Sequence, residues 1–155
     1  MTGRVRSIHL APEQGESVRQ VDSVTAVADQ GLEGDRYFSA DGTFAERDGS
    51  DLTLIETETL TAVERDYNID LESGVHRRNL TTEGIALNHL IDRQFRIGEV
   101  VCEGTELCEP CSYLERHLEK QGLREALVHR GGLRARILEG GTVTRGDDIE
   151  PIQIG

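Results

Sequence analysis

Two thiols three residues apart, Cys108 and Cys111, stand in the segment Leu107-Cys108-Glu109-Pro110-Cys111-Ser112-Tyr113-Leu114-Glu115. The residues before it have strand composition and those after it helix composition. Ser112 and Glu115 are spaced as a capping box, with Ser112 at N-cap and Glu115 at N3. Cys111 is therefore expected just outside a helix N-terminus, where the positive end of the macrodipole favours thiolate over thiol. Pro110 stiffens the approach and holds Glu109 extended. Such a sulfur suits nucleophilic or metal-ligating work, with Cys111 as the working thiol and metal ligand and Cys108 as a second catalytic candidate. Three other readings of the pair stay open. Free cysteines are often core residues. A Cys-x-Pro-Cys dithiol of thioredoxin type requires a βαβ context, which the strand-rich surroundings do not offer. Structural zinc on Cys102, Cys108, Cys111 and His117 would use four ligand-type residues, although a second CxxC is missing.

Two further stretches suit an anion. In Val75-His76-Arg77-Arg78-Asn79-Leu80-Thr81, paired guanidinium forks fit a phosphate or carboxylate, and Asn79 and Thr81 can complete the cage. In Arg130-Gly131-Gly132-Leu133-Arg134-Ala135-Arg136-Ile137-Leu138, strand alternation puts Arg134 and Arg136 on one face and Leu133, Ala135 and Ile137 on the other. The glycine pair permits close approach of a ligand to the backbone. In each stretch the competing reading is surface arginines paired with the abundant acids. Gly31-Leu32-Glu33-Gly34-Asp35-Arg36-Tyr37 lacks the spacing of a phosphate loop and reads as a rigid turn near a site. His9, His89 and His129 show no partner spacing and read as surface or packing residues. No Ser-His-Asp order stands out.

These residues must be positioned by short strands. Stretches rich in Val, Ile and Thr and bounded by Gly or Asp predict strands at 4–10, 18–28, 52–56, 94–97, 100–107, 135–138, 142–144 and 149–154. Helical spacing predicts helices at 57–67, with Leu60, Val63 and Tyr67 on one face, at 85–91, at 112–120 and at 123–129. Gly122 separates the last two as a C-cap. Phe95 to Val101 and Val143 to Ile149 each place Gly and an acid between β-branched runs, as strand–turn–strand corners do. The polar stretch 38–51 reads as a loop. Many short strands, glycine-rich corners and few helices predict a mainly β fold, a closed or nearly closed barrel.

The 155 residues are expected to form a single domain, 1–155, with an aliphatic core, because aromatic residues are only 4% of the chain. The formal net charge is -12, and Lys120 is the only lysine. That balance argues against nucleic acid or an anionic membrane as partner. It also suits a salt-rich host, where self-repulsion is screened and an acidic surface stays hydrated. No long apolar run and no basic-then-apolar start is present, so a cytoplasmic location is expected. Three cysteines, an odd number, do not read as a disulfide framework.

The order of several elements resembles that of MOSC domains, named for the C-terminal part of molybdenum cofactor sulfurases. These are Gly31-Leu32-Glu33-Gly34-Asp35-Arg36, Leu52-Thr53-Leu54-Ile55, Arg77-Arg78-Asn79-Leu80, Phe95-Arg96-Ile97-Gly98-Glu99, Pro110-Cys111, Gly131-Gly132 and the closing Gly140-to-Ile149 stretch. The pattern departs at Tyr37, where many relatives carry His. The resemblance implies a stand-alone barrel-like domain with a cleft for a phosphorylated molybdopterin, the molybdenum cofactor. It implies that Cys111 carries sulfane sulfur as a persulfide or ligates molybdenum, and that Arg77, Arg78 and Asn79 meet the anionic cofactor. The partner implied is a cysteine desulfurase, or an electron-donor protein if the chain is a molybdenum oxidoreductase component. A non-catalytic zinc-held binding module is the alternative.

Overall fold

The computed structural model describes residues 2–10, 19–34, 52–67, 79–107 and 132–152. Eleven strands occur among them: β1 (Gly3–Leu10), β2 (Arg19–Val21), β3 (Ser23–Val27), β4 (Gly31–Leu32), β5 (Leu52–Glu56), β6 (Leu80–Glu83), β7 (Gln94–Ile97), β8 (Val100–Leu107), β9 (Leu133–Glu139), β10 (Gly141–Thr144) and β11 (Asp148–Pro151). One helix, α1 (Thr57–Tyr67), and one 3-10 turn (Leu87–Leu90) accompany them. The order β1-β6-β5-β9-β8-β7-β11 closes on itself because β11 pairs back to β1. The fold is thus mainly β, a closed seven-stranded barrel. Closure leaves none of these seven strands with a fully open edge. β2 extends β1 beyond the stretch that β11 covers, and β10-β3-β4 form a second, smaller sheet.

Alternation explains the wall. On β9, Leu133, Ala135 and Ile137 are buried while Arg134 and Arg136 are only half-buried, as the two-residue period requires. Leu52 and Leu54 of β5, Leu80 of β6 and Ile8 of β1 belong to the same interior, with Phe95 as its largest side chain. Val24, Leu32 and Val143 of the small sheet join that core, so the sheet packs its apolar face onto the barrel. Gly98 and Glu99 make the two-residue hairpin between β7 and β8. Gly98 has φ +59, the left-handed value that the first central position of such a turn demands.

The helix lies against the outer face of β5 and β6. Ile55 points away from the barrel interior and is buried beside Leu60 and Val63 of α1. The Glu58 carboxylate accepts the Gly84 N–H at 2.9 Å, tying the start of α1 to the end of β6.

Several expectations need correction. The single strand expected at 18–28 is, over the described residues 19–28, two strands, because β2 pairs with β1 while β3 pairs with β10 and β4. The chain changes sheet at Asp22, which periodicity does not register. Residues 85–91 make only the short 3-10 turn, since Ile91 already bridges to Gly104 in extended form. A Cβ on Gly104 would collide with the Leu90 carbonyl, so that crossing requires glycine. Sequence pattern does not predict β4 or β6. The helices at 112–120 and 123–129 and the loop at 38–51 lie outside the described residues, and 149–154 is described only to 152.

Candidate functional site

Sheet order brings together strands whose flanking segments carry the chemistry-bearing motifs. Leu107, four residues before Cys111, pairs with Leu133; Leu133 pairs with Leu54; and Leu54 pairs with Leu80, two residues after Arg78. One continuous register line therefore joins the end of β8 to the start of β6 across three strand spacings, roughly 15 Å. Cys108, Cys111, Arg77 and Arg78 themselves lie outside the described residues.

One residue along from that line, on the outer face, runs a row of polar side chains. Glu106 of β8 faces Arg134 of β9, and Arg134 faces Thr53 of β5. Thr53 meets Asn79, and the Asn79 side chain meets the main-chain carbonyl of His9 on β1. Alternation places all of them opposite the inward-facing Leu54, Leu133, Leu80 and Ile8. The join of Thr53 and Asn79 is reciprocal. The Thr53 N–H donates to Asn79 Oδ1 at 3.0 Å, and the Asn79 N–H donates to Thr53 Oγ1 at 3.0 Å. The Thr53 hydroxyl also reaches Asn79 Oδ1 at 3.2 Å, and Asn79 Nδ2 donates to the His9 carbonyl at 3.3 Å. The His9 N–H completes the corner by donating to the Asn79 carbonyl at 2.7 Å.

Asn79 is thus buried and bonded to two neighbouring strands. Thr81 is buried on the outer face beside Ile55, in the layer that α1 covers. Arg134 and Arg136 do face outward, and each stands in register with an acid of β8, Glu106 and Glu103 respectively. The Arg134–Glu106 pair is loose, 3.9 Å from Nε to Oε1 with the glutamate side chain 67% exposed, so this pair contributes little by itself. His9 is buried, which fits the packing role expected of it, and burial holds its imidazole below the ordinary histidine range. Sequence pattern misses its place in this row, as it misses that of Thr53; the available signal is its position between the core-facing Ile8 and Leu10.

Cys102 occupies the opposite environment. It is fully buried in β8, paired with Phe95 on one side and Ile137 on the other. Of the zinc candidates Cys102, Cys108, Cys111 and His117, only Cys102 is among the described residues, and it stands in the barrel core. Among the described residues no group of three or more His, Cys, Asp or Glu is placed to hold a metal. No helix among them is long and apolar enough to cross a membrane.

A closed, mainly β barrel with an external polar row defines the structural class. A family model described as the MOSC domain matches residues 41–150. The chain belongs to the MOSC domain family, which is associated with molybdenum cofactor sulfurase-like function. Solved structures share the fold at low identity. The YuaD protein of Bacillus subtilis is 17% identical with a TM-score of 0.80, covering 99% of this chain and 98% of its own. YiiM of Geobacillus stearothermophilus is 15% identical with a TM-score of 0.72, covering 99% and 76%. YiiM of Escherichia coli is 19% identical with a TM-score of 0.72, covering 98% and 71%. No curated protein sequence matches this chain.

Proposed function

We propose that this MOSC protein is a cytoplasmic sulfur carrier that binds the molybdenum cofactor and uses Cys111 as its sulfur-bearing residue. The observation that carries the reading is the register line from Leu107 through Leu133 and Leu54 to Leu80. It makes neighbours of the strands leading into the cysteine motif and out of the arginine motif. The donor set fits the cofactor chemically: guanidinium forks suit its phosphate, and thiolate suits a soft metal. Arg77 and Arg78 would hold the phosphate, with Arg134 and Arg136 on the adjacent wall and Cys111 as the sulfur ligand. When bound, the cofactor would supply a thiophilic molybdenum centre.

Loading of Cys111 is a thiol–persulfide exchange. Its thiolate attacks the terminal sulfur of a persulfide on a partner cysteine desulfurase. A new S–S bond forms at Cys111, the donor's S–S bond breaks, and the donor cysteine leaves as thiolate. A reducing compartment keeps Cys111 available for this exchange.

The test is cyanide-releasable sulfur after incubation with a desulfurase and cysteine, followed by desalting. Stoichiometric sulfur is expected in the wild type and in Cys108→Ala, and none in Cys111→Ala with an unchanged circular dichroism spectrum. Sulfur retained by Cys111→Ala would overturn the assignment. In parallel, pterin fluorescence after anaerobic loading should fall in the Arg77→Ala, Arg78→Ala double variant. No pterin on folded wild-type protein would remove the cofactor from the proposal.

A further inference from the structure

We infer that Thr53 and Asn79 are positioning residues for anion recognition, forming a clasp that links the two arginine-bearing stretches. This rests on the cofactor-binding reading above. β5 and β6 are parallel and pair from Leu54 and Leu80 onward. At the residue before each, the ladder is replaced by side chains. Thr53 gives its N–H to the Asn79 carboxamide, and Asn79 gives its N–H to the Thr53 hydroxyl. Both amides are thereby satisfied by side chains, so the junction of β5 and β6 does not depend on ladder bonds at this level.

The clasp also has a defined place between the arginines. Asn79 follows Arg78 by one peptide bond, about 3.8 Å between Cα atoms. Thr53 is the register partner of Arg134. Fixing Thr53 to Asn79 therefore fixes the point from which Arg77 and Arg78 depart relative to the Arg134 wall. A third bond, from Asn79 Nδ2 to the His9 carbonyl, prevents the carboxamide from rotating out of the clasp. Neither residue needs to touch the ligand for this role.

The experiment compares anaerobic molybdenum cofactor binding, read by pterin fluorescence, in Thr53→Ala, Asn79→Ala, their double variant and Thr53→Ser. Val63→Ala, which opens a void under α1, is the control for loss of stability alone. Loss of the clasp should weaken binding about tenfold in either single variant, with the double no worse than the single. Thr53→Ser keeps the hydroxyl and should bind like the wild type. Clasp variants that bind like the wild type, or no more weakly than Val63→Ala at equal loss of melting temperature, overturn the inference alone. Failure of the wild type to bind overturns the cofactor reading, and the inference falls with it.

Discussion

His9 shows how burial sets chemistry at the scale of one residue. Its imidazole is held below the ordinary value of 6.5 by desolvation. The unfolded chain therefore binds this proton more readily than the folded one does. Stability should fall as pH drops through the ordinary histidine value, and stop falling once the folded-state value is passed. Urea unfolding between about pH 8 and pH 5 checks this, and His9→Leu should flatten that limb. Glu56 shifts the other way. Burial is the first cause and the neighbouring Glu58 carboxylate adds to it, while an N–H from Leu87 and the nearby His89 oppose them. Its folded-state value lies above 4.5, so its contribution is fully present at low pH and declines as pH rises through that value. Glu56→Gln, which keeps an acceptor for Leu87, should remove that decline. Asn79→Ala belongs to this scale too: it strands the Thr53 N–H in a half-buried position, and should cost about 1–3 kcal/mol in a denaturant melt.

Among the elements, β10 shows how an edge is closed without another strand. Arg145, just past its end, donates its N–H to the Asp22 carbonyl on the β3 side. The alternate amides of Thr142 and Thr144 point the other way. Glu99, from the β7–β8 hairpin, accepts the Thr142 N–H at 2.9 Å, and Asp147 accepts the Thr144 N–H at 2.8 Å. Two carboxylates thus occupy donors that an open edge would offer to another chain. The acids that look in the sequence like ordinary turn residues are edge caps. Glu99→Ala and Asp147→Ala should each lower stability by about 1 kcal/mol. Because the edge is then exposed, light scattering on heating should begin at lower temperature in the double variant. An unchanged melting and scattering profile would show that water replaces the caps without loss. Gly98→Ala should be worse than either, since it forces φ +59 on a residue with a Cβ and brings that carbon within 2.5 Å of Asp147 Oδ2.

Across the whole molecule, charge works against the fold. Seventeen basic residues against 29 acids leave -12, and self-repulsion opposes the compact state. Opposite charges do stand in register on adjacent strands: Arg4 with Asp148 and Glu83, Arg96 with Glu150, Glu103 with Arg136 and Glu106 with Arg134. Exposed pairs of this kind contribute little each, about 0–1 kcal/mol. Net repulsion is expected to outweigh them, so salt should stabilise the protein. Raising salt from about 0.1 M to about 1 M shortens the screening length from roughly 10 Å to 3 Å. The melting temperature is expected to rise over that range; a fall would mean that the cross-strand pairs matter more than the repulsion.

Much of the barrel could be read from local pattern. β5, β7 and β8 follow from alternating or apolar runs between glycine and acid corners, because backbone pleat and turn geometry are properties of a few neighbouring residues. The two faces of β9 follow for the same reason, and so does the acidic character of the whole. Other features depend on contacts between distant parts of the chain, which no local period records. Only closure of the sheet shows that residues 19–28 serve two sheets. Only the strand order makes neighbours of Leu107, Leu133, Leu54 and Leu80. Asn79 carries donors and acceptors that many neighbours could use, and folding brings Thr53 and the His9 carbonyl within hydrogen-bonding distance of it. That Cys102 stands in the core, flanked by Phe95 and Ile137, is likewise decided by strand pairing. Residue type sets which bonds a side chain can make, and tertiary structure, by choosing its neighbours, decides which of them it does make.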